Sequence, residues 1–213
     1  KHSHWGSTPR AIVHELALSL QELGVPHPLH IHASNLGVPG NIKSTIETID
    51  ALEGIRGHLT HVQFHCYGSE GPKKFSSASQ QLAEKLKSSK NISIDVGQII
   101  FGQTVTTSGD IMKQHSNRNN ANPKKWVMGD IECTAGCGVV PFKYKENSFV
   151  NALQWVIGLE IFLLVDDPWQ VVLTTDHPNG GPFTSYPHLI KLLMNKEFRD
   201  EQLHQLHPDV IEH

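Results

Sequence analysis

Three short segments of the sequence end an apolar run with histidine or aspartate, residue types that bind metal ions and move protons. The first is PHPLHIHASN, residues 26–35, which predicts a short buried strand. Because strand side chains alternate between two faces, His30 and His32 share one side, and His32 lies nearer the strand's end. His32 is therefore the candidate metal ligand, with Asn35 close behind it. Hydrogen-bonded core or loop histidines remain the alternative for this segment alone.

The second segment, HLTHVQFHCYG over residues 58–68, alternates in the manner of a strand. At roughly 3.3 Å per residue, His61 and His65 would share one face and lie about 13 Å apart, too far to bind one metal ion together easily. A zinc-protease helix has the same histidine spacing, but Val62 stands where that motif requires glutamate. We therefore expect His65, at the strand's end, to be the candidate ligand and His61 to be packed deeper in the fold.

The third segment is TTDHPNGG, residues 174–181, in which Asp176 follows the run 171–175, predicted to be buried, and precedes a turn. A carboxylate there could bind a metal ion or accept a proton from a metal-activated water. A turn-capping aspartate is the alternative. Taken together, His32, His65 and Asp176 offer two imidazoles and one carboxylate, a set that suits zinc and leaves coordination positions open for water.

An alternation of helices and strands is predicted to bring these segment ends together. Helices are expected at residues 9–24, about 42–56, 76–86 and 147–164, and a last helix begins over 186–194. A strand is expected over 58–68, and segments 26–35, 91–102 and 169–181 are each expected to hold a strand followed by a loop or turn. Such alternation predicts βα units and a parallel sheet. In a βα barrel the chemistry lies at the carboxyl ends of the strands, and a closed barrel has eight of them. The chain is therefore predicted to be half a barrel, with residues 104–125 as a polar excursion or insertion.

Composition narrows the classes of partner. The 213 residues carry 18 Lys and Arg against 21 Asp and Glu, a net charge of −3, which argues against nucleic acid or an anionic membrane as partner. Three cysteines are too few for a secreted disulfide framework. No apolar run reaches the roughly 18 residues of a membrane span. We expect a cytoplasmic protein, and because Lys1 stands where methionine would begin a gene product, the chain is expected to be processed or truncated.

Several longer strings resemble one known protein family. They are HIHASNLGVPGN, LTHVQFHCYG, FSSA, SIDVGQIIFGQT, CGVVPFKYKE, NALQWVIGLE and LTTDHPNGGPFTSYP. These strings are similar to the A-type subunits of formylmethanofuran dehydrogenases and of the bacterial formyltransferase/hydrolase complexes, which belong to the amidohydrolase superfamily near the dihydropyrimidinase and dihydroorotase branch. The resemblance extends over about residues 1–200.

The resemblance implies a fold, a reaction and a set of site residues. The fold class would be α/β, the C-terminal part of a TIM-like (β/α)8 amidohydrolase barrel with about strands five to eight, over residues 1–213. The reaction would be the zinc-dependent interconversion of an N-formyl amine, on methanofuran or an analogue, with formate and amine, within a complex of several subunits. His32 and His65 match the metal ligands of strands five and six, and Asp176 matches the strand-eight aspartate that contacts metal and shuttles the proton. Substrate contacts would come from His177, Asn179 and Asn35.

The sequence also departs from the superfamily pattern. The His-x-His pair of the first strand and the carboxylated lysine after strand four have no match here in a comparable context. By itself this segment is therefore not expected to hold a complete binuclear zinc site, and the upstream half of the barrel or another chain would have to supply the rest. The alternative is a non-catalytic scaffold subunit of the same complex, without a complete metal site. An unrelated amidohydrolase acting on a cyclic amide fits the strings less well.

Overall fold

The structure is a computed structural model that describes residues 6–71, 73–108 and 138–211. Within those ranges the helices are α1 (Pro9–Glu22), α2 (Ile42–Ala51), α3 (Ser79–Ser88), α4 (Phe149–Leu164), α5 (Tyr186–Met194), α6 (Lys196–Leu203) and α7 (Pro208–Ile211). The strands are β1 (Leu29–Ile31), β2 (Gly57–Leu59), β3 (Tyr67–Gly68), β4 (Ser76–Ser77), β5 (Ile92–Asp95), β6 (Gly102–Ser108), β7 (Gly138–Tyr144) and β8 (Val171–Val172). No helix of this described part has both the length and the apolar character needed to cross a membrane.

A parallel sheet organises the described residues. Its strand order is β1-β2-β5-β8, and each neighbouring pair is parallel, as helical crossovers between the strands require. The prediction of an α/β fold with a parallel sheet is therefore confirmed. Two antiparallel pairs, β3 with β4 and β6 with β7, stand apart from this sheet.

Helix α1 shows why local signals located some elements well. The Thr8 side chain accepts a hydrogen bond from the backbone N–H of Ala11, Pro9 occupies the first turn, and Gly24 has φ +66° just past the end. Helix α2 ends at Ala51, earlier than predicted, because Glu53 and Gly54 take positive φ angles and turn the chain out of the helix.

Three segments predicted to hold a strand followed by a loop do so. Segment 26–35 contains β1, 91–102 contains β5, and 169–181 contains β8. In each case polar and glycine residues beyond the strand form loops at the carboxyl end of the sheet. The prediction of a continuous strand over 58–68 is wrong, since β2 ends at Leu59 and the chain turns into a 3₁₀ helix.

The remaining boundaries differ in detail. Helix α3 begins at Ser79 rather than Ser76 because Ser76 and Ser77 form β4. Helix α5 has the predicted bounds but is followed by α6 and α7. Of the predicted excursion over 104–125, residues 104–108 lie in β6 and residues 109–125 lie outside the described part of the chain.

The two faces of the parallel sheet differ in character. On one face the buried side chains of Leu59, Ile92 and Ile94 join the main hydrophobic cluster, which also contains residues of α2, α3 and α4. Burial of this apolar area is the principal force that holds the helices to the sheet. Along the other face His30, His58 and Ser93 lie in one register across three strands. This polar face therefore continues to the carboxyl ends of the strands, where the candidate site lies.

Candidate functional site

Four histidine rings lie in successive contact near the carboxyl ends of β1 and β2. The ring centroids of His30 and His32 are 5.3 Å apart, those of His32 and His61 are 4.8 Å apart, and those of His61 and His65 are 5.0 Å apart. Nδ1 of His32 and Nε2 of His61 face each other at 2.8 Å. The structure thus pairs His32 with His61, a residue that the strand pattern had assigned to packing.

A sharp turn after β2 produces this pairing. His61 has φ +38°, and its backbone N–H donates to Oδ1 of Asp95 at 2.9 Å. The N–H of Gln63 then donates to the carbonyl of Val96 at 3.1 Å as the 3₁₀ helix Val62–His65 begins. Because these bonds turn the chain, the separation of about 13 Å that an extended strand would give His61 and His65 does not occur.

His65 is completely buried behind His61. Neither ring nitrogen has a hydrogen-bond partner of normal geometry among the described residues. Burial lowers the pKa of His65 well below its ordinary value of 6.5, and the neighbouring rings of His61 and His32 act in the same direction. The Ser34 backbone opposes this more weakly. His65 is therefore neutral at physiological pH.

His32 is more exposed to solvent than His65. Partial burial lowers its pKa, as do the neighbouring His61 and His30. The carboxylates of Asp176 and Asp95 oppose this shift, so both acids lie within electrostatic range of the His32 ring. A neutral imidazole keeps the lone pair that a metal ion needs.

Asp176 stands opposite His61, with Gly97 between them. A β-carbon at Gly97 would lie 2.6 Å from Cβ of His61 and 3.3 Å from Cβ of Asp176. Gly97 has φ +68°, so it combines a left-handed backbone with the absence of a side chain. Asp176 also has a positive φ, +48°. Left-handed backbone at several non-glycine residues in one place is typical of functional sites.

The three candidate substrate residues occupy loops at the same edge. The Asn35 carbonyl accepts a hydrogen bond from the Asn41 side chain at 3.0 Å. The N–H of Asn179 donates to the Asp176 carbonyl at 2.6 Å, within the turn after β8. His177 is exposed, and its Nδ1 accepts from the Phe183 N–H at 3.2 Å. His177 is thus held toward Phe183, while Asn179 stays beside the Asp176 backbone.

Sequence reasoning missed Asp95, the last residue of β5. One carboxylate oxygen accepts from the N–H of His61 and from Oγ1 of Thr174, and the other lies 3.2 Å from Nε2 of His58. Burial by itself would raise the pKa of Asp95, but hydrogen bonds from His58, Thr174, Thr60 and the His61 backbone hold it far below its usual value. The available signal was an aspartate that ends the buried run SID, as Asp176 ends another run.

The donor set agrees in part with a zinc site. In the described ranges no three His, Cys, Asp or Glu side chains converge as ligands of one ion. Two Zn–N bonds at the tetrahedral angle would separate the nitrogens by about 3.4 Å. His32 Nδ1 and His61 Nε2, now 2.8 Å apart, would need only a small displacement to reach that separation. The residues therefore fit part of a zinc coordination shell.

Fold and site together define a class of protein. Parallel strands gather histidines and aspartates at their carboxyl ends, an arrangement suited to metal-assisted hydrolysis. Comparison with known families agrees, because the amidohydrolase family matches residues 6–210. The chain belongs to the amidohydrolase family.

Individual relatives are more specific. The chain is 47% identical over 206 residues to the FhcA component of the formyltransferase/hydrolase complex Fhc of Methylorubrum extorquens, covering 93% of this chain and 37% of the relative. It is 43% identical over 208 residues to the protein FwdA of Methanocaldococcus jannaschii, covering 92% of this chain and 36% of the relative. These matches confirm the family resemblance read from the sequence strings.

A solved structure agrees with the sequence relatives. It is the crystal structure of the formyltransferase/hydrolase complex FhcABCD from Methylorubrum extorquens in complex with methylofuran. The match has a TM-score of 0.85 and 45% identity, and covers 98% of this chain and 38% of that chain. The present chain thus spans little more than a third of the length of the relatives it matches.

Proposed function

We propose that this chain forms the catalytic strand-end region of an N-formyl amine hydrolase, which interconverts the formamide of a methanofuran-type carrier with formate and free amine. The observation that carries the proposal is the facing pair of His32 and His61 nitrogens at 2.8 Å, with Asp176 across Gly97 from His61. The name of the Fhc relative supports the reaction class. The methylofuran named with the solved relative supports the carrier class.

We propose zinc as the metal, held by the facing pair His32 and His61, with Asp176 as the third ligand. The three side chains do not converge in the described structure, so Asp176 would have to move toward the pair when the ion binds. This set keeps two of the ligands predicted from the sequence and exchanges His65 for His61, because His61 faces His32 directly. His65 then supports the His61 ring from behind, at 5.0 Å between centroids. A second zinc ion, as in a binuclear site, would need the first-strand histidine pair and the carboxylated lysine, for which this sequence has no matching context.

The proposed reaction uses Asp176 as the proton carrier. Bound zinc would supply polarisation of the formyl carbonyl and a lower pKa for water. Asp176 accepts a proton from the attacking water while the oxygen of that water bonds to the formyl carbon. The C–N bond then breaks, Asp176 returns the proton to the amine nitrogen, and formate leaves. His177, Asn179 and Asn35 are the proposed contacts to the rest of the substrate.

The architecture proposed for the whole protein is a (β/α)8 barrel, of which this sheet supplies about strands five to eight. Strands β1 and β8 are the two edges of the parallel sheet formed by the described residues. Unpaired edge strands expose backbone donors and acceptors that further strands would satisfy. The proposed partners are the other subunits of a formyltransferase/hydrolase or formylmethanofuran dehydrogenase complex.

A scaffold protein without a complete metal site is the second candidate function. The observation that favours it is that, in the described ranges, no three potential ligands converge on one point. Metal content separates the candidates, since a hydrolase requires close to one or two zinc ions per copy of the protein, whereas a scaffold requires none. The measurement is elemental analysis of the assembled complex purified without chelator.

Replacing Asp176 with Asn tests the hydrolase directly. The variant should lose formate release by at least about 100-fold, because general acid–base catalysis contributes roughly that much. Asp166→Asn is the matched control, since the Asp166 carboxylate pairs with Lys87 on the exposed surface. Full activity in Asp176→Asn would contradict the proposed role.

Alanine variants of His61 and His65 test the ligand assignment. His61→Ala should lower zinc content more than His65→Ala, because only His61 faces His32 at hydrogen-bonding distance. The reverse order would return the ligand role to His65.

A further inference from the structure

Asp95 joins three strand ends through one buried carboxylate. Its Oδ1 accepts from the backbone N–H of His61 at 2.9 Å and from Oγ1 of Thr174 at 2.6 Å. Its Oδ2 lies 3.2 Å from Nε2 of His58. Asp95 is only 6% exposed, so these partners replace water around the charge. An ionised carboxylate can only accept, which requires His58 to carry its proton on Nε2.

The contacts of Asp95 reach both sides of the candidate site. His61 needs its left-handed φ of +38° to turn its ring toward His32, and the bond to Asp95 holds that backbone. On the other side Thr174 lies two residues before Asp176. Its hydroxyl donates to Asp95 and accepts from the N–H of Gly97 at 2.8 Å. The carboxylate therefore ties His61 and the segment leading to Asp176 to one fixed point.

The strength of these bonds favours a positioning role over simple packing. Hydrogen bonds to a buried charge are short and about twice as strong as neutral ones. Outer partners of metal-site residues typically contribute about 10–100-fold in metal affinity or activity when removed. Packing alone would need no charge at this position, since Ile94, the preceding residue, fills the apolar side of β5.

We propose that Asp95 is a positioning residue. It fixes the His61 backbone and the Thr174–Asp176 segment relative to each other, so that His61 and Asp176 can contact the same bound ligand. Asp95 acts through these residues and does not touch substrate. Its catalytic consequence rests on the proposed function, whereas its effect on the His61 backbone does not.

The test compares Asp95→Asn with Asp95→Ala in the assembled complex. Asparagine keeps an oxygen for the His61 N–H and the Thr174 hydroxyl, and alanine removes it. Asp95→Ala should lower kcat for formate release by about 10–100-fold with KM nearly unchanged, and should speed hydrogen–deuterium exchange at the His61 amide. Asp95→Asn should retain slow exchange and most of kcat, with the proton of His58 moved to Nδ1, beside Ser93 Oγ, so that Nε2 accepts from the new amide. Ile94→Ala, from the same strand, is the control for destabilisation alone.

Two results would overturn the positioning role. One is unchanged exchange of the His61 amide in Asp95→Ala. The other is an equal loss of kcat in Asp95→Ala and Ile94→Ala at equal loss of stability. If the parent complex releases no formate at all, the proposed function fails, while the exchange measurement still decides whether Asp95 holds the His61 backbone.

Discussion

Replacing Gly97 with alanine should damage the site and the fold together, for two separable reasons. Gly97 has φ +68°, a backbone conformation that costs an L-residue roughly 1–2 kcal/mol. In addition, the new β-carbon would lie 2.6 Å from Cβ and 2.8 Å from Cα of His61. Because one of these atoms is backbone, the strand ends must move apart, and overpacking of this kind typically costs about 1–3 kcal/mol. The expected total is about 2–5 kcal/mol of unfolding free energy.

Gly24 provides a control with nearly the same backbone angle. Its φ is +66°, and a β-carbon there would meet nothing within 4 Å. Gly24→Ala should therefore lose only the conformational part, about 1–2 kcal/mol. Denaturant unfolding is measured for both variants and for the parent. The difference between the two losses of unfolding free energy gives the cost of the contact with His61.

Gly97→Ala and Gly24→Ala should also differ in their effect on the candidate functional site. Gly97→Ala pushes His61 away from Asp176, so on the proposed function zinc content and formate release should fall, whereas Gly24→Ala should keep both. Equal stability losses in the two variants, with zinc retained in Gly97→Ala, would refute the close approach of His61 to Gly97 and the site built on it.

Three further outcomes are expected from single side chains. The pKa of buried His65 is lowered from 6.5, so the neutral ring favours folding. In chelator-treated protein stability should fall as the pH drops below about 6.5, and His65→Leu should flatten that decline in thermal unfolding. Burial raises the pKa of Cys66 to about 12, so mass spectrometry should find Cys66 unalkylated by iodoacetamide until the protein unfolds. Thr8→Ala removes the cap on Ala11 and should cost about 1 kcal/mol in denaturant unfolding.

Local patterns in the sequence were enough for much of the framework. The N-cap residue, the first-turn proline and the terminal glycine predicted α1, because these signals act within a few residues of each other. Alternation of helices and strands predicted the parallel sheet, since parallel neighbours need a crossover between them. Specific strings carried the family resemblance, and with it His32, His65 and Asp176 as candidates.

Contacts between distant residues decided what the sequence could not. Alternating residues predicted an extended strand through His65, yet the chain turns at His61 because its N–H bonds to Asp95, 34 positions away in sequence. The same carboxylate binds the Thr174 hydroxyl, 79 positions away. Sequence by itself determined which residue types stand at the strand ends. Only the tertiary structure decided that His61 faces His32, that His65 is buried, and that Asp95 links the His61 backbone to Thr174 just beyond β8, because each depends on contacts that form after the strands have assembled.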